Sequence, residues 1–231
     1  MLTASMITRT LRTYLGLLPL AWAWAVGAAA AENDVIPLPA PQTDGGRPFM
    51  QVLRDRKTVR EFSTNALSLQ HLSNLLWAGG GINRPENGHR TAPSAMNSQE
   101  IDLYLLTREG AYVYEPKSQQ LRLVAAGDLR AKTGGQDFIR QAPCALLFVA
   151  DLPRLDKAAP TERPRYAWID TGYMSQNVYL YCASAGLATV VHELDRAQLK
   201  DALKLKADQL IVLAQAVGYP AVAPVGAAPA R

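Results

Sequence analysis

Residues 55–62 have the sequence DRKTVREF, and the interpretation of the whole chain starts from this stretch. In an extended segment alternate side chains point the same way, so Arg56, Thr58 and Arg60 would project to one side. Two guanidinium groups and a hydroxyl on one side suit a phosphate group, which has a charge of about −2 and several acceptor oxygens. Taken alone, the stretch also fits a solvated charged loop, because runs of charged residues usually face water.

A second polar stretch, residues 90–99, has the sequence RTAPSAMNSQ and precedes a predicted strand. Pro93 stiffens the turn, and Ser94, Asn97 and Gln99 offer hydroxyl and amide groups. Such groups can match the donors and acceptors of a heterocycle or a phosphate. The alternative is ordinary turn chemistry, since Ser, Asn and Pro are common in turns.

The apolar periodicity around these stretches predicts interspersed helices and strands, which favours the α+β class. Ser68 is placed to cap a helix that ends at three consecutive glycines, residues 79–81. The continuous apolar run at residues 143–150 predicts a central strand buried on both faces. The other predicted helices are residues 49–54, 166–185 and 195–203, and the other predicted strands are residues 101–107, 111–114, 120–124, 187–191 and 210–217.

The composition is that of an ordinary globular protein. The chain has 231 residues, of which 48% are hydrophobic and 19% charged, enough for one sizeable core. The net charge is +4, and Arg9 and Arg12 contribute two of these charges in the first segment. The small remaining excess disfavours nucleic-acid binding.

The sequence divides into four segments. Residues 1–31 combine a basic start, an apolar run and small residues, the order of a secretion signal. This order predicts a periplasmic or secreted protein with no stable membrane span after processing, whereas the alternatives are an uncleaved anchor or a buried helix. Residues 32–46 are predicted to form an extended arm, residues 47–220 the folded domain and residues 221–231 a flexible tail.

Cysteine and histidine usage points to no self-sufficient catalytic site. Cys144 and Cys182 either form a disulfide in an oxidising compartment or, as we favour, remain free buried thiols. His71, His89 and His192 lack metal-ligand spacing, so no metal is predicted. Nucleophile-elbow and phosphate-loop motifs are also missing from the sequence, which disfavours hydrolysis and nucleotide triphosphate chemistry.

Together, the two polar stretches resemble motifs of the nitroreductase family. Residues 56–62 match its R-[RHK]-[ST]-x-[RK]-x-F pattern, and residues 93–99 match P-S-x-x-N-x-Q before a strand. The predicted helix at residues 166–185 resembles the family's long dimer helix, and residues 216–220 resemble its last strand. Details of the turn and hairpin segments resemble the branch that contains azoline-oxidising dehydrogenases.

The resemblance implies a three-layer α+β fold with a mainly antiparallel central sheet flanked by helices. It also implies a homodimer with one FMN in each of two interface clefts. Arg56, Lys57 and Thr58 would contact the FMN phosphate, and Arg60 would lie near the pyrimidine end of the ring. The residues implied to reach the flavin of the partner subunit are Pro93, Ser94, Ala95, Asn97 and Gln99.

The chain departs from the family in one segment near the expected flavin ring. Where many members have P-x-x-G, residues 190–193 have the sequence VVHE. Val191 and His192 are therefore included among the cofactor-binding candidates. His192 would contact the flavin or the substrate, or, as ordinary burial tendencies favour, lie at the surface.

The resemblance implies that the flavin carries the chemistry and that no catalytic side chain is needed. The predicted function is hydride transfer from NAD(P)H or another donor to a small conjugated acceptor, a nitroaromatic or a quinone. One cleft would serve donor and acceptor in turn, which gives a ping-pong mechanism. The alternatives are a flavin-linked dehydrogenase or oxidase without NAD(P)H, and a non-catalytic exported flavin-binding protein.

Overall fold

The computed structural model describes residues 34–221, which form one seven-stranded antiparallel sheet flanked by helices. The predicted signal segment, residues 1–31, and residues 222–231 of the predicted tail lie outside the described residues. The helices are α1 (Phe49–Asp55), α2 (Leu69–Gly80), α3 (Asp137–Gln141), α4 (Arg163–Ala185) and α5 (Arg196–Ala202). The strands are β1 (Val35–Pro37), β2 (Ile82–Arg84), β3 (His89–Arg90), β4 (Ile101–Leu106), β5 (Gly110–Glu115), β6 (Gln120–Ala126), β7 (Cys144–Asp151), β8 (Ala188–His192) and β9 (Gln209–Gly218).

The large sheet has the order β1-β6-β5-β4-β7-β9-β8, with β2 and β3 forming a separate hairpin. Every pair of neighbouring strands is antiparallel. The apolar run predicted as a central strand is β7, which lies between β4 and β9 and is buried along nearly its whole length. The predicted α+β class is therefore confirmed.

Two hydrophobic layers cover the sheet because side chains alternate along each strand. On β4, Leu103 and Leu105 face the core that α2 and α4 build on one side. Tyr104 and Leu106 face the second core, to which α5 contributes Leu199. The result is three layers, with α4 packed along one face of the sheet.

Capping contacts confirm the predicted start of α2 and the predicted end of α4, whereas α2 continues to Gly80, three residues beyond its predicted last residue. The Ser68 hydroxyl accepts a hydrogen bond from the His71 N–H at 3.2 Å at the start of α2. The N–H of Gly81 donates to the Trp77 carbonyl at its end. Helix α4 ends at Gly186, whose left-handed φ of 69° suits glycine.

Strand β1, the hairpin β2–β3 and helix α3 were not predicted. Strand β1 lies within the segment predicted as an arm and pairs with β6 at the sheet edge. The chain that follows it is held by α2, since the Ser73 hydroxyl donates to the Pro39 carbonyl at 2.6 Å. Elements of two to five residues are too short for periodicity to reveal.

Both cysteines are buried and free, as favoured from the sequence. Burial raises the pKa of the Cys144 thiol to about 12 and that of Cys182 further still. None of the helices within residues 34–221 is both long and apolar enough to cross a membrane.

Candidate active site

Tyr179, on α4, joins the first predicted site segment to β8. Its hydroxyl lies 3.2 Å from the Thr58 hydroxyl and accepts a hydrogen bond from the Val191 N–H at 3.0 Å. The guanidinium carbon of Arg56 lies 5.3 Å from the centroid of its ring, a cation–π contact. Arg56, Thr58 and Val191, three predicted cofactor-binding residues, are thus gathered around one side chain.

The main chain fixes the same segment against the edge of the sheet. The N–H of Val59 donates to the Thr189 carbonyl of β8 at 3.0 Å. Phe62 is buried and forms an isolated bridge with Pro220. The stretch between α1 and Phe62 therefore runs beside β8.

The three cations of this segment have no carboxylate partner among the described residues. Arg56, Lys57 and Arg60 form no ion pair with any residue between 34 and 221. The adjacent carboxylate, Asp55, is shared by Arg54 and Arg47. Hydrogen bonds from those two arginines lower the pKa of Asp55 to about 2, so it stays charged and engaged.

The chemistry of this donor set fits the phosphate of FMN. Three cations without a carboxylate partner and the Thr58 hydroxyl lie within five residues of sequence. A phosphate placed there would receive charge-assisted hydrogen bonds, which are stronger than neutral ones. Lys57 and Arg60 are exposed, whereas Arg56 is half-buried under its contact with Tyr179.

The second predicted segment is a strained turn. Met96, Asn97 and Gln99 all have left-handed backbones, with φ of 54°, 54° and 50°. Non-glycine residues rarely adopt this conformation, and such strain clusters at functional sites. The Ser94 hydroxyl closes the turn by accepting a hydrogen bond from the Gln99 N–H at 2.9 Å.

The side chains of this turn differ in what they can offer a ligand. The Gln99 amide donates to the Gly88 carbonyl at 3.0 Å and to the Asn97 side chain at 3.2 Å, so it is engaged within the turn. Pro93 and Asn97 are exposed, and Ala95 is half-buried. The N–H of Ala95 donates to the Asp170 carboxylate of α4 at 2.7 Å, which ties the turn to that helix.

The two segments lie on opposite flanks of α4. Asp170 holds the turn at residues 93–99, and Tyr179 holds the cationic segment at residues 56–60. Nine residues of helix correspond to two and a half turns, so these side chains point in opposite directions about 14 Å apart along the axis. The residues predicted to bind one FMN are therefore not brought together within one chain.

Around Asp170, helix α4 also exposes an apolar strip. Trp168, Ile169 and Tyr173 are 48%, 43% and 49% exposed, unusual values for large apolar side chains in a group. Gly172 lies among them with open space around its Cα. We call residues 168, 169, 172 and 173 the α4 strip.

A cleft of about 340 Å³ opens where β8 ends, and Trp168, Val191, His192 and Arg196 contribute to its lining. Its volume is in the range of small-molecule pockets. The Arg196 guanidinium carbon lies 5.6 Å from the Trp168 ring centroid, so α5 and α4 meet at the cleft. Val191 lines the cleft and is held by Tyr179, which also contacts Thr58. The cleft and the cationic segment at residues 56–60 therefore lie at the same end of β8.

The expectation that His192 lies at the surface is wrong, since its exposure is only 7%. Its ring packs edge to face on Phe138, with 5.9 Å between centroids, and Nδ1 lies 2.9 Å from the Glu193 carbonyl oxygen. Strand alternation points its side chain away from that of Val191. Burial lowers the pKa of His192, so the ring is neutral at neutral pH and its Nδ1–H donates to Glu193.

Comparison with known proteins identifies the family of the chain. Residues 53–219 match the model of the nitroreductase family. The chain belongs to the nitroreductase family. A protein of Methanocaldococcus jannaschii whose name provisionally assigns it to the nitroreductases is 31% identical over 173 residues, covering 70% of this chain and 87% of that protein.

Solved structures carry the same fold. A nitroreductase-like protein of Ralstonia eutropha is 43% identical with a TM-score of 0.78, over 82% of this chain and 90% of that one. The NADPH:FMN oxidoreductase of Vibrio harveyi, solved with NAD⁺, is 19% identical with a TM-score of 0.55, over 76% of this chain and 70% of that one. Family members use FMN, and this nitroreductase is accordingly a flavin-dependent oxidoreductase.

Sequence reasoning assigned no role to two residues that organise the site. Tyr179 and Asp170, both inside a long helix, hold the two predicted segments. Asp170 is one of the residues by which that helix resembles the family's dimer helix, and this resemblance was the available signal for it. For Tyr179 no such signal exists, because an aromatic residue in a helix is usually part of the core.

Proposed function

We propose that two copies of this nitroreductase build each FMN site jointly. Arg56, Lys57 and Thr58 of one copy bind the phosphate, and Arg60 lies near the pyrimidine end of the ring. The observation that carries the proposal is the pair of opposite flanks on α4, since one flank holds three unpaired cations and the other holds the strained turn.

The second copy would contribute the turn and cover the α4 strip. In a two-fold dimer the same surface of each copy meets, so burying the strip also brings one flank of α4 near the opposite flank of its partner. Pro93, Ser94, Ala95 and Asn97 would then approach the flavin. Gln99 supports the turn from within, because its amide is already hydrogen-bonded there.

The proposed reaction transfers hydride from NAD(P)H to a small conjugated acceptor such as a nitroaromatic or a quinone. Bound FMN supplies reversible hydride chemistry, which no side chain of the chain provides. The protein's own residues bind and orient: the cations hold the phosphate, and Val191 and the main chain of His192 line the ring end of the cleft. Donor and acceptor use this one cleft in turn, so we expect ping-pong kinetics.

The donor assignment is supported by the Vibrio harveyi neighbour, whose structure contains NAD⁺. The proposed export of the protein follows from the sequence of residues 1–31 alone. Reduction of the bound flavin by NADH or NADPH without oxygen tests the donor. A flavin that stays oxidised with both nucleotides but is reduced by an organic substrate would replace this proposal with a flavin-linked dehydrogenase.

Subunit complementation tests the shared site directly. We expect Arg56→Ala and Asn97→Ala, each as a homodimer, to bind FMN poorly, because each variant damages both sites. After equal mixing and reassembly, half the dimers carry one intact site, so about a quarter of the sites should recover FMN binding. Arg54→Ala is the matched control for Arg56→Ala, since Arg54 is already paired with Asp55. Absence of recovery in a proven mixture of dimers would contradict the shared site.

A further inference from the structure

Glu100 connects the strained turn to β4, and this ionisable residue is completely buried. Within residues 34–221, neither of its carboxyl oxygens makes a well-formed hydrogen bond to a donor of another residue. The N–H of Glu100 itself lowers the pKa of the carboxyl group, against the larger effect of burial. Its main chain is fixed, because its carbonyl accepts the Asp151 N–H at 2.9 Å. A buried carboxyl group without a donor is costly when ionised, so it demands an explanation.

The neighbour of the Glu100 carboxyl group is a second buried carboxyl group. Asp170 of α4 is 3% exposed, and one of its oxygens accepts the Ala95 N–H at 2.7 Å. Burial raises the pKa of Glu100 to about 7, and the charge of Asp170 adds to the rise. Two carboxyl groups in contact can share a proton but cannot both ionise cheaply.

The two arginines near this pair make their hydrogen bonds to other groups, and the buried Nε of each has no hydrogen-bond partner within residues 34–221. Arg154 donates to the Gln99 carbonyl at 2.8 Å and pairs with Asp102 and Asp151. Arg90 is largely buried and donates to the Ile101 carbonyl at 2.8 Å. Within residues 34–221 no cation is hydrogen-bonded to Glu100.

We propose that Glu100 is a positioning residue whose protonated carboxyl group donates to Asp170 and so fixes the Ala95 N–H and the turn at residues 93–99 in the FMN-binding conformation. The inference rests on the proposed function, since the turn matters only if it approaches the flavin. The proton completes a chain from Glu100 to Asp170 to Ala95. Loss of the proton places two carboxylates against each other, which pushes Asp170 from the Ala95 N–H and loosens the turn.

Titration of FMN into the apo full chain tests this inference. From about pH 6.5 to pH 8.5, the dissociation constant of the wild type should rise about tenfold, the change given by one unit of difference in the Glu100 pKa between free and bound protein. In Glu100→Gln the amide donates to Asp170 at every pH, so its dissociation constant should stay nearly level. The phosphate of FMN titrates near pH 6 in both proteins and cancels in the comparison.

A readout without FMN separates this inference from the proposed function. The hydrogen-exchange protection factor of the Ala95 amide should fall with pH in the wild type and hold in Glu100→Gln. It should be low at all pH values in Asp170→Ala, which removes the acceptor of the Ala95 N–H. Equal pH dependence in wild type and Glu100→Gln overturns the inference, whether or not FMN binds. If the protection of the Ala95 amide changes as expected but the protein does not bind FMN, the inference about Glu100 stands and the proposed function alone is overturned.

Discussion

Replacing Tyr179 with phenylalanine should weaken both the fold and FMN binding, because one hydroxyl serves two site segments. The change keeps the ring under Arg56 but removes the contacts with Thr58 and the Val191 N–H. A neutral hydrogen bond contributes about 1 kcal/mol, and a half-buried N–H left unpaired costs roughly 1 kcal/mol more. We therefore expect the free energy of unfolding of the apo protein to fall by about 2 kcal/mol.

The loss of FMN-binding free energy should be of similar size. If the freed Thr58 and Val191 must be ordered again on binding, a loss of about 1.4 kcal/mol raises the dissociation constant tenfold. Urea unfolding and quenching of FMN fluorescence measure the two quantities. Tyr112→Phe is the matched control, since the Tyr112 hydroxyl makes no hydrogen bond within the described chain. If Tyr179→Phe binds FMN as tightly as Tyr112→Phe, the hydroxyl does not organise the site.

Three further outcomes are expected. Arg56→Ala should lower FMN affinity about ten- to a hundredfold, because it removes a charge-assisted contact, while Arg54→Ala should change it little; equal losses in fluorescence titrations would place the phosphate elsewhere. Ile169→Glu should yield monomers in size-exclusion chromatography with light scattering, whereas Leu69→Glu, equally exposed on α2, should leave dimers intact. The free energy of unfolding should fall between about pH 4.5 and 7, because the unfolded chain releases the Glu100 proton in that window while the folded chain retains it. The fall is roughly 3 kcal/mol at most and should be missing in Glu100→Gln; urea unfolding across pH measures it, and an equal fall in both proteins would refute the assignment.

The sequence predicted the fold class and most element positions because the relevant patterns are local. The Ser68 cap, the three glycines after α2 and the apolar run of β7 each carry their own signal. The motif at residues 56–62 likewise has a donor chemistry that is visible without coordinates. Such features depend on neighbours in sequence, so sequence reasoning reaches them.

What the sequence did not predict depends on long-range packing. Glu100 and Asp170 are carboxylates, which usually face water, so their burial against each other follows only from the approach of α4 to the turn. His192 was expected at the surface for the same reason, and helix α3 with Phe138 covers it instead. The position of Tyr179 between Thr58 and Val191 depends on residues 121 and 12 positions away along the chain.

The segment beside β8 has a second consequence, which concerns how copies of the chain can associate. An edge strand exposes main-chain groups that invite intermolecular strand pairing and aggregation. On β8 the outward Thr189 carbonyl is taken by Val59 and the outward Val191 N–H by Tyr179, while the opposite edge, β1, is only three residues long and ends at Pro37. Both borders of the sheet are thus closed to strand addition, so neighbouring molecules are left to meet through their helices.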